Sequence, residues 1–95
     1  MAKKRVHVVV HGKVQGVYFR MYAQAEGQKL GLGGWVKNRP DGVSIETAIE
    51  GDEEKVNQML HWLEHEGSPG SEVTKIEIRE ERPFGETPGG YNIRY

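Results

Sequence analysis

Between the first strand-like run and the first helix-like run the chain reads Gly12-Lys13-Val14-Gln15-Gly16-Val17-Tyr18-Phe19-Arg20, a glycine-bearing stretch ending on a guanidinium. Successive backbone N–H groups of such a loop can turn inward around an anion, and the N-terminus of a following helix adds partial positive charge. Arg20 supplies a permanently charged planar fork matched to phosphate oxygens. The chemistry suggested is the gripping of a phosphate. It is not a Walker loop, since Gly12-Lys13 is followed by Val14 rather than Ser or Thr, and Gly31-Leu32-Gly33-Gly34 misses the GxGxxG spacing, so nucleotide binding has no support. Taken alone, the stretch also fits the commoner case of a plain strand-to-helix connection shaped by Gly12 and Gly16, with Arg20 solvated in the first helical turn.

Such a loop works only if a strand delivers it and a helix receives it. From Arg5 to His11, Val6, Val8 and Val10 share one face while His7, Val9 and His11 share the other, the period-two pattern of a strand. After the loop, Phe19, Ala23, Gly27 and Leu30 recur at helical spacing and Gly31 is a suitable stop. Gly27 inside that helix costs about 1 kcal/mol relative to Ala. Gly33-Gly34 opens a second strand, Trp35 to Asn38, and Arg39-Pro40-Asp41-Gly42 turns it into a hairpin with a third, Val43 to Glu50. Asp52 is a candidate N-cap for a second helix, with Glu53 and Glu54 at the positive end of its dipole and Val56, Met59, Leu60 and Leu63 along one face. That helix ends at Gly67-Ser68-Pro69-Gly70. Thr74, Ile76 and Ile78 then alternate with Lys75, Glu77 and Arg79 as a fourth strand wet on one side, and a loop around Pro83 and Pro88 leads to a short last strand, Tyr91 to Tyr95. Right-handed crossovers place both helices on one face of an antiparallel sheet. The expected fold is thus α+β, a ferredoxin-like split β-α-β sandwich of order βαββαβ plus a short C-terminal strand, with residues 1–95 forming one domain.

Composition narrows the partners. The net charge is −1, yet residues 1–47 carry eight Lys and Arg against three Asp and Glu, while residues 48–95 carry five against eleven. A near-neutral chain is a poor non-specific binder of nucleic acid, whereas a basic N-terminal half suits a small anion. With no Cys there is no disulfide framework, no thiolate nucleophile and no Cys-ligated zinc, which suits a reducing cytoplasm. Met1-Ala2-Lys3-Lys4-Arg5 precedes an apolar run too short and too interrupted for a signal peptide, and no other run approaches membrane length. His61 and His65 lack both the HExxH arrangement and a third ligand and read as an exposed helix face, and His7 and His11 share a strand face, so no metal is assigned. Glu50, Asp52, Glu53 and Glu54 read as a charge bias at a helix start. Trp35, Trp62, Tyr18 and Tyr91 read as core or rim aromatics rather than base-stacking platforms. An RNA binder of this topology would need basic and aromatic residues on a central strand, where Val8-Val9-Val10-His11 stand instead.

Joined to Gly34-Trp35-Val36-Lys37-Asn38-Arg39-Pro40-Asp41-Gly42, the first stretch resembles the acylphosphatase family. Its two signatures look like Val10-x-Gly12-x-Val14-Gln15-Gly16-Val17-x-Phe19-Arg20 and Gly34-Trp35-Val36-Lys37-Asn38-x-x-x-Gly42, and the likeness covers nearly the whole chain in length and element order. The resemblance implies a metal-independent hydrolase, without cofactor, that cleaves the carboxyl–phosphate bond of acyl phosphates to carboxylate and orthophosphate by in-line attack of an oriented water. It implies that Arg20 binds the phosphoryl group together with backbone amides of Gln15, Gly16, Val17, Tyr18 and Phe19, and that Asn38 orients the water. The implied partners are a small acyl phosphate and inorganic phosphate, as product and inhibitor, with neither nucleic acid nor membrane, for a cytoplasmic monomer. A second reading keeps the cradle but makes the chain a binding module that holds an acyl or carbamoyl phosphate for another protein; similar domains occur fused within larger carbamoyl-transfer maturation proteins. One departure stands out. Gly42 is followed by Val43-Ser44-Ile45 where the family has Val two positions after the glycine, and the interval to Gly51 is one residue longer. Unless a bulge absorbs the extra residue, the third strand would reverse its facing.

Overall fold

The alternating valines suit the first strand to the interior of the sheet, with one apolar face and a neighbour on each edge. In the computed structural model, which describes residues 2–80 and 90–94, the elements are β1 (Lys3–Lys13), α1 (Phe19–Lys29), β2 (Gly33–Asn38), β3 (Ile45–Asp52), α2 (Glu53–His65), β4 (Glu72–Glu80) and β5 (Tyr91–Ile93). The expected loop around Pro83 and Pro88 and the strand end at Tyr95 lie outside the described residues. The sheet order is β4-β1-β3-β2-β5. Helix α1 packs on β2 and β5 and α2 on β1, β3 and β4, the ferredoxin-like arrangement expected from the element order. Val6, Val8 and Val10 meet Phe19, Met59 and Leu63 in one buried cluster.

The structure departs from the sequence expectation in five places. The sheet is antiparallel except where β5 pairs with β2 in parallel. Strand β4 runs against β1 and ends at the side of the sheet where β2 begins, so a segment entering there runs the same way as β2. In β4 the register shifts between His11 and Gly12, which face Lys75 and Val73 in turn. Thr74 is the residue passed over, and Val73 rather than Thr74 packs against the core. Strand β3 begins at Ile45 rather than Val43, and Asn38 pairs directly with Ile45. The extra residue therefore enters the hairpin loop, and the β2–β3 and β1–β3 registers run without a shift. Asp52 makes no side-chain cap bond, because it is still paired with Lys3 in the ladder, and the Glu53 N–H donates to the Ala2 carbonyl at 3.0 Å. Finally, Glu50 is not part of a solvated charge bias. Its carboxylate pairs with Arg5 at 3.1 Å, both side chains being about nine-tenths buried.

Gly27, unfavourable by propensity, is required by packing. A Cβ there would stand 2.4 Å from Cδ2 of Tyr91, whose ring is fully buried against α1. The Tyr91 hydroxyl donates to Oγ1 of Thr47, which in turn donates to the Trp35 carbonyl at 2.7 Å, and burial pushes the phenol well above its usual pKa. Gly27→Ala, stabilising by about 1 kcal/mol in an open helix, is expected to destabilise here by about 1–3 kcal/mol through overpacking. Urea melts of the two proteins read the sign. A variant as stable as wild type would show that Tyr91 can shift at no cost.

Candidate active site

The segment between β1 and α1 folds as a tight cradle. The backbone angle φ alternates in sign from Gln15 to Tyr18, with Gly16 at 76° and Tyr18 at 58°. Alternating signs turn successive N–H groups toward one side, the arrangement that concentrates donors on an anion. Phe19 then anchors the first turn of α1 in the core, tilted against Trp62 at 5.5 Å between ring centroids. The N-terminus of α1 is thereby fixed beside the loop, adding its dipole to the same place.

Arg20 and Asn38 open on one cleft of about 440 Å³ between this loop, α1 and the ends of β2 and β5. Asn38 reaches it because it shares the helix-facing side of β2 with Val36, one residue before the hairpin turn. Among the described residues none hydrogen-bonds the Asn38 side chain, which lines the cleft. One guanidinium nitrogen of Arg20 donates to the carbonyl of Arg94, just after β5, at 3.5 Å. Of the cradle residues read from the sequence, Gly16, Tyr18 and Phe19 line the cleft directly. Gln15 and Val17 are absent from the lining; the Gln15 side chain and the Val17 carbonyl are turned to the hairpin and to Ser68, which leaves their N–H groups free of those contacts.

The comparisons with known proteins bear on the family and the fold. The acylphosphatase family model matches residues 6–92. The chain belongs to the acylphosphatase family. An acylphosphatase of Syntrophobacter fumaroxidans is 50% identical over 86 residues, covering 90% of this chain and 87% of its own. The crystal structure of the Bacillus subtilis acylphosphatase superposes with a TM-score of 0.89 at 38% identity, covering 97% and 99% of the two chains. Full-length HypF in its phosphate- and nucleotide-bound form matches with a TM-score of 0.84 at 26% identity, over 99% of this chain but only 12% of HypF.

Family signatures name residues; they do not say what holds them. Here the Gln15 side chain donates to the carbonyls of Arg39 at 3.1 Å and Ser44 at 2.8 Å, tying the acylphosphatase loop to the hairpin turn beside Asn38. Ser68, buried in the turn after α2, donates to the Val17 carbonyl at 2.8 Å. These contacts hold the cradle at its start, Gln15, and at its middle, Val17. Neither was legible, because Gln15 reaches 24 and 29 residues ahead and Ser68 51 residues back. His61 and His65 are exposed on α2 with tilted rings whose centroids lie 4.7 Å apart, while His7 and His11 contact Glu46 at 2.9 Å and Glu77 at 3.1 Å. Among the described residues no three His, Cys, Asp or Glu side chains are grouped as a metal site needs. No helix among them is long and apolar enough to cross a membrane.

The hairpin turn has its own brace. Asp41 accepts hydrogen bonds from the Ser44 hydroxyl and from the N–H groups of Val43 and Ser44. These bonds, the hydroxyl first, hold its carboxyl down to about 2. A carboxyl whose folded pKa lies below its unfolded value contributes stability that is complete above the unfolded pKa and lost as pH falls through the folded one. Wild type is therefore expected to lose stability between about pH 4 and pH 2 through Asp41, and Asp41→Ala to be less stable at neutral pH with a flatter acid limb in that window. Thermal melts across pH 2–7 check this; parallel curves for the two proteins would remove Asp41 as the brace.

Proposed function

We propose that this enzyme hydrolyses the carboxyl–phosphate anhydride of acyl phosphates by in-line attack of one water on phosphorus. The water oxygen bonds to phosphorus as the bond from phosphorus to the acyl oxygen breaks. The acyl part leaves as a carboxylate, the phosphoryl group as orthophosphate, and the water proton passes to solvent. What carries the reading is the meeting of Arg20, Asn38 and the sign-alternating cradle at one cleft.

Each group answers a need of the reaction. The guanidinium and the inward-turned amides of Gln15, Gly16, Val17, Tyr18 and Phe19 stabilise the three equatorial oxygens, where charge concentrates in a loose transition state. The nucleophile gains little bond order early, so it needs aiming more than a strong base. Asn38 aims it as a neutral acceptor and avoids the repulsion a carboxylate would bring beside a dianion. A carboxylate departs without a general acid because its conjugate acid is already strong, so the step calls for neither a metal nor a cofactor. Orthophosphate, bound by the same groups, inhibits competitively. We assign the activity to one domain acting as a cytoplasmic monomer.

The deciding experiment is phosphate release from a synthetic acyl phosphate in excess EDTA. Turnover is expected to be unchanged by the chelator. Binding without turnover would replace the enzyme with a module that holds acyl phosphates, and turnover abolished by EDTA and restored by a divalent ion would end the metal-free mechanism.

A further inference from the structure

We propose that the Ser68 hydroxyl is a latch on the backbone of the cradle, holding the peptide between Val17 and Tyr18 in the orientation that turns the Tyr18 N–H toward the phosphoryl group. Ser68 is thus a positioning residue, acting through the cradle without touching substrate. This role rests on the reading above, in which the cradle binds the phosphoryl group, and adds what keeps that cradle formed. Ser68 is 3% exposed, and its hydroxyl donates to the Val17 carbonyl at 2.8 Å. In a trans peptide the C=O and the following N–H point in opposite directions. A carbonyl drawn toward the turn after α2 therefore sends the Tyr18 N–H the other way, and Tyr18 lines the cleft. Among the described residues none accepts a hydrogen bond from that N–H.

A latch is needed because the orientation is strained. Tyr18 is the one non-glycine residue among the described residues with a positive φ, at 58°, in the left-handed region that disfavours a bulky side chain by about tenfold. A half-turn of the peptide plane would carry that φ to about −120°, in the ordinary extended region, and relieve the strain. It would also present the Val17 carbonyl oxygen, the negative end of the peptide dipole, to the anion. The flanking residues allow the turn without moving, since the side chains of Val17 and Phe19 pack against or within the core and fix the chain on either side. Tyr18 does not oppose it, being 72% exposed and making no side-chain cap bond. Ser68 does. Its own place is set by Ser71, whose N–H and hydroxyl donate to the Ser68 carbonyl at 3.0 and 2.6 Å, which leaves the Ser68 hydroxyl to Val17.

The test titrates inorganic phosphate by calorimetry into wild type, Ser68→Ala, Tyr18→Asn and the double variant. Asn keeps the backbone amide and adopts the left-handed region at little cost, so it removes the drive for the half-turn. With Tyr18 present, Ser68→Ala is expected to raise the phosphate Kd by about three- to tenfold, the weight of one hydrogen bond, because only part of the population is then competent to bind. In the Tyr18→Asn background the same substitution is expected to raise it by less than about twofold. A bound acyl phosphate selects the competent orientation, so in turnover the loss belongs to KM, with kcat within about twofold of wild type. Ser68→Cys, close in shape but a weak donor, is expected to fall between Ser68 and Ser68→Ala, and it carries the same cycle should Ser68→Ala not fold. A side chain that merely supported the fold would lower the melting temperature and give one penalty in both backgrounds. An equal penalty in the two, or none in either, overturns the latch while leaving phosphate binding by the cradle standing. A wild type that binds no phosphate removes the reading beneath it, and the latch with it.

Discussion

Arg20→Ala is expected to lower kcat/KM for an acyl phosphate by about a thousandfold or more, and to abolish the stabilisation expected of wild type in millimolar phosphate. The size follows from what is removed: charge-assisted hydrogen bonds to a dianion, in a cleft where Arg20 is the one charged side chain among the described lining residues. Arg20→Lys separates charge from geometry. An ammonium restores the positive charge without the planar fork, so it is expected to recover only a small part of the loss. The phosphate effect gives a readout independent of turnover, because a ligand that binds only the folded state raises the melting temperature with its concentration. A structural loss would lower the melting temperature of the variant and leave the phosphate-dependent rise intact. Loss of the rise marks Arg20 as an anion ligand. If Arg20→Ala keeps both the rise and the turnover, the cradle amides suffice and the assignment of the guanidinium is wrong. The contact from Arg20 to the Arg94 carbonyl adds a second expectation, since the backbone after β5 helps to aim the fork.

What could be read before any coordinates was local chemistry and local period. The valine alternation of β1, the helical spacing of Phe19, Ala23 and Gly27, and the hairpin at Arg39 to Gly42 are encoded within a few residues, and each element is found, with β3 starting two residues later than expected. That Arg20 and Asn38 act together came only from the family resemblance; the structure sets both on one cleft, where the start of α1 and the end of β2 meet. Contacts that depend on register or on distant partners were not legible. Val73 takes the inward place that Thr74 was given, because a one-residue shift on the edge pairing carries no signature in the alternation. Glu50 looked like part of an acidic run and is instead held by Arg5 across the β1–β3 pairing. Gly27 looked like a weakness of α1 and is the space that Tyr91 fills. The extra residue after Gly42 was visible, but its resting place in a loop braced by Asp41 depends on hydrogen bonds that no periodicity records.

Asn38→Ala is expected to lower kcat by about a hundredfold or more, with a much smaller change in KM, because aiming a water contributes mainly in the transition state. The phosphoryl group would still be held by the cradle and Arg20, so phosphate should remain a competitive inhibitor with nearly its wild-type affinity. That contrast with Arg20→Ala divides the labour between the two residues. Asn38→Asp is the sharper variant. It is nearly isosteric and keeps an acceptor, yet places a negative charge beside the dianion, so both binding and turnover should fall at neutral pH. At pH values low enough to protonate the introduced carboxyl, part of the activity should return, which a strand-end packing role for Asn38 would not produce. The tie from Gln15 to the Arg39 and Ser44 carbonyls makes a further distinction possible, because it fixes the turn that follows Asn38. Gln15→Ala frees that turn without touching the amide, so kcat is expected to fall less than in Asn38→Ala while the phosphate-induced rise in melting temperature is retained. Full activity in Asn38→Ala would leave the attacking water without an identified guide and would return the cleft to a site that binds phosphate without a designated nucleophile.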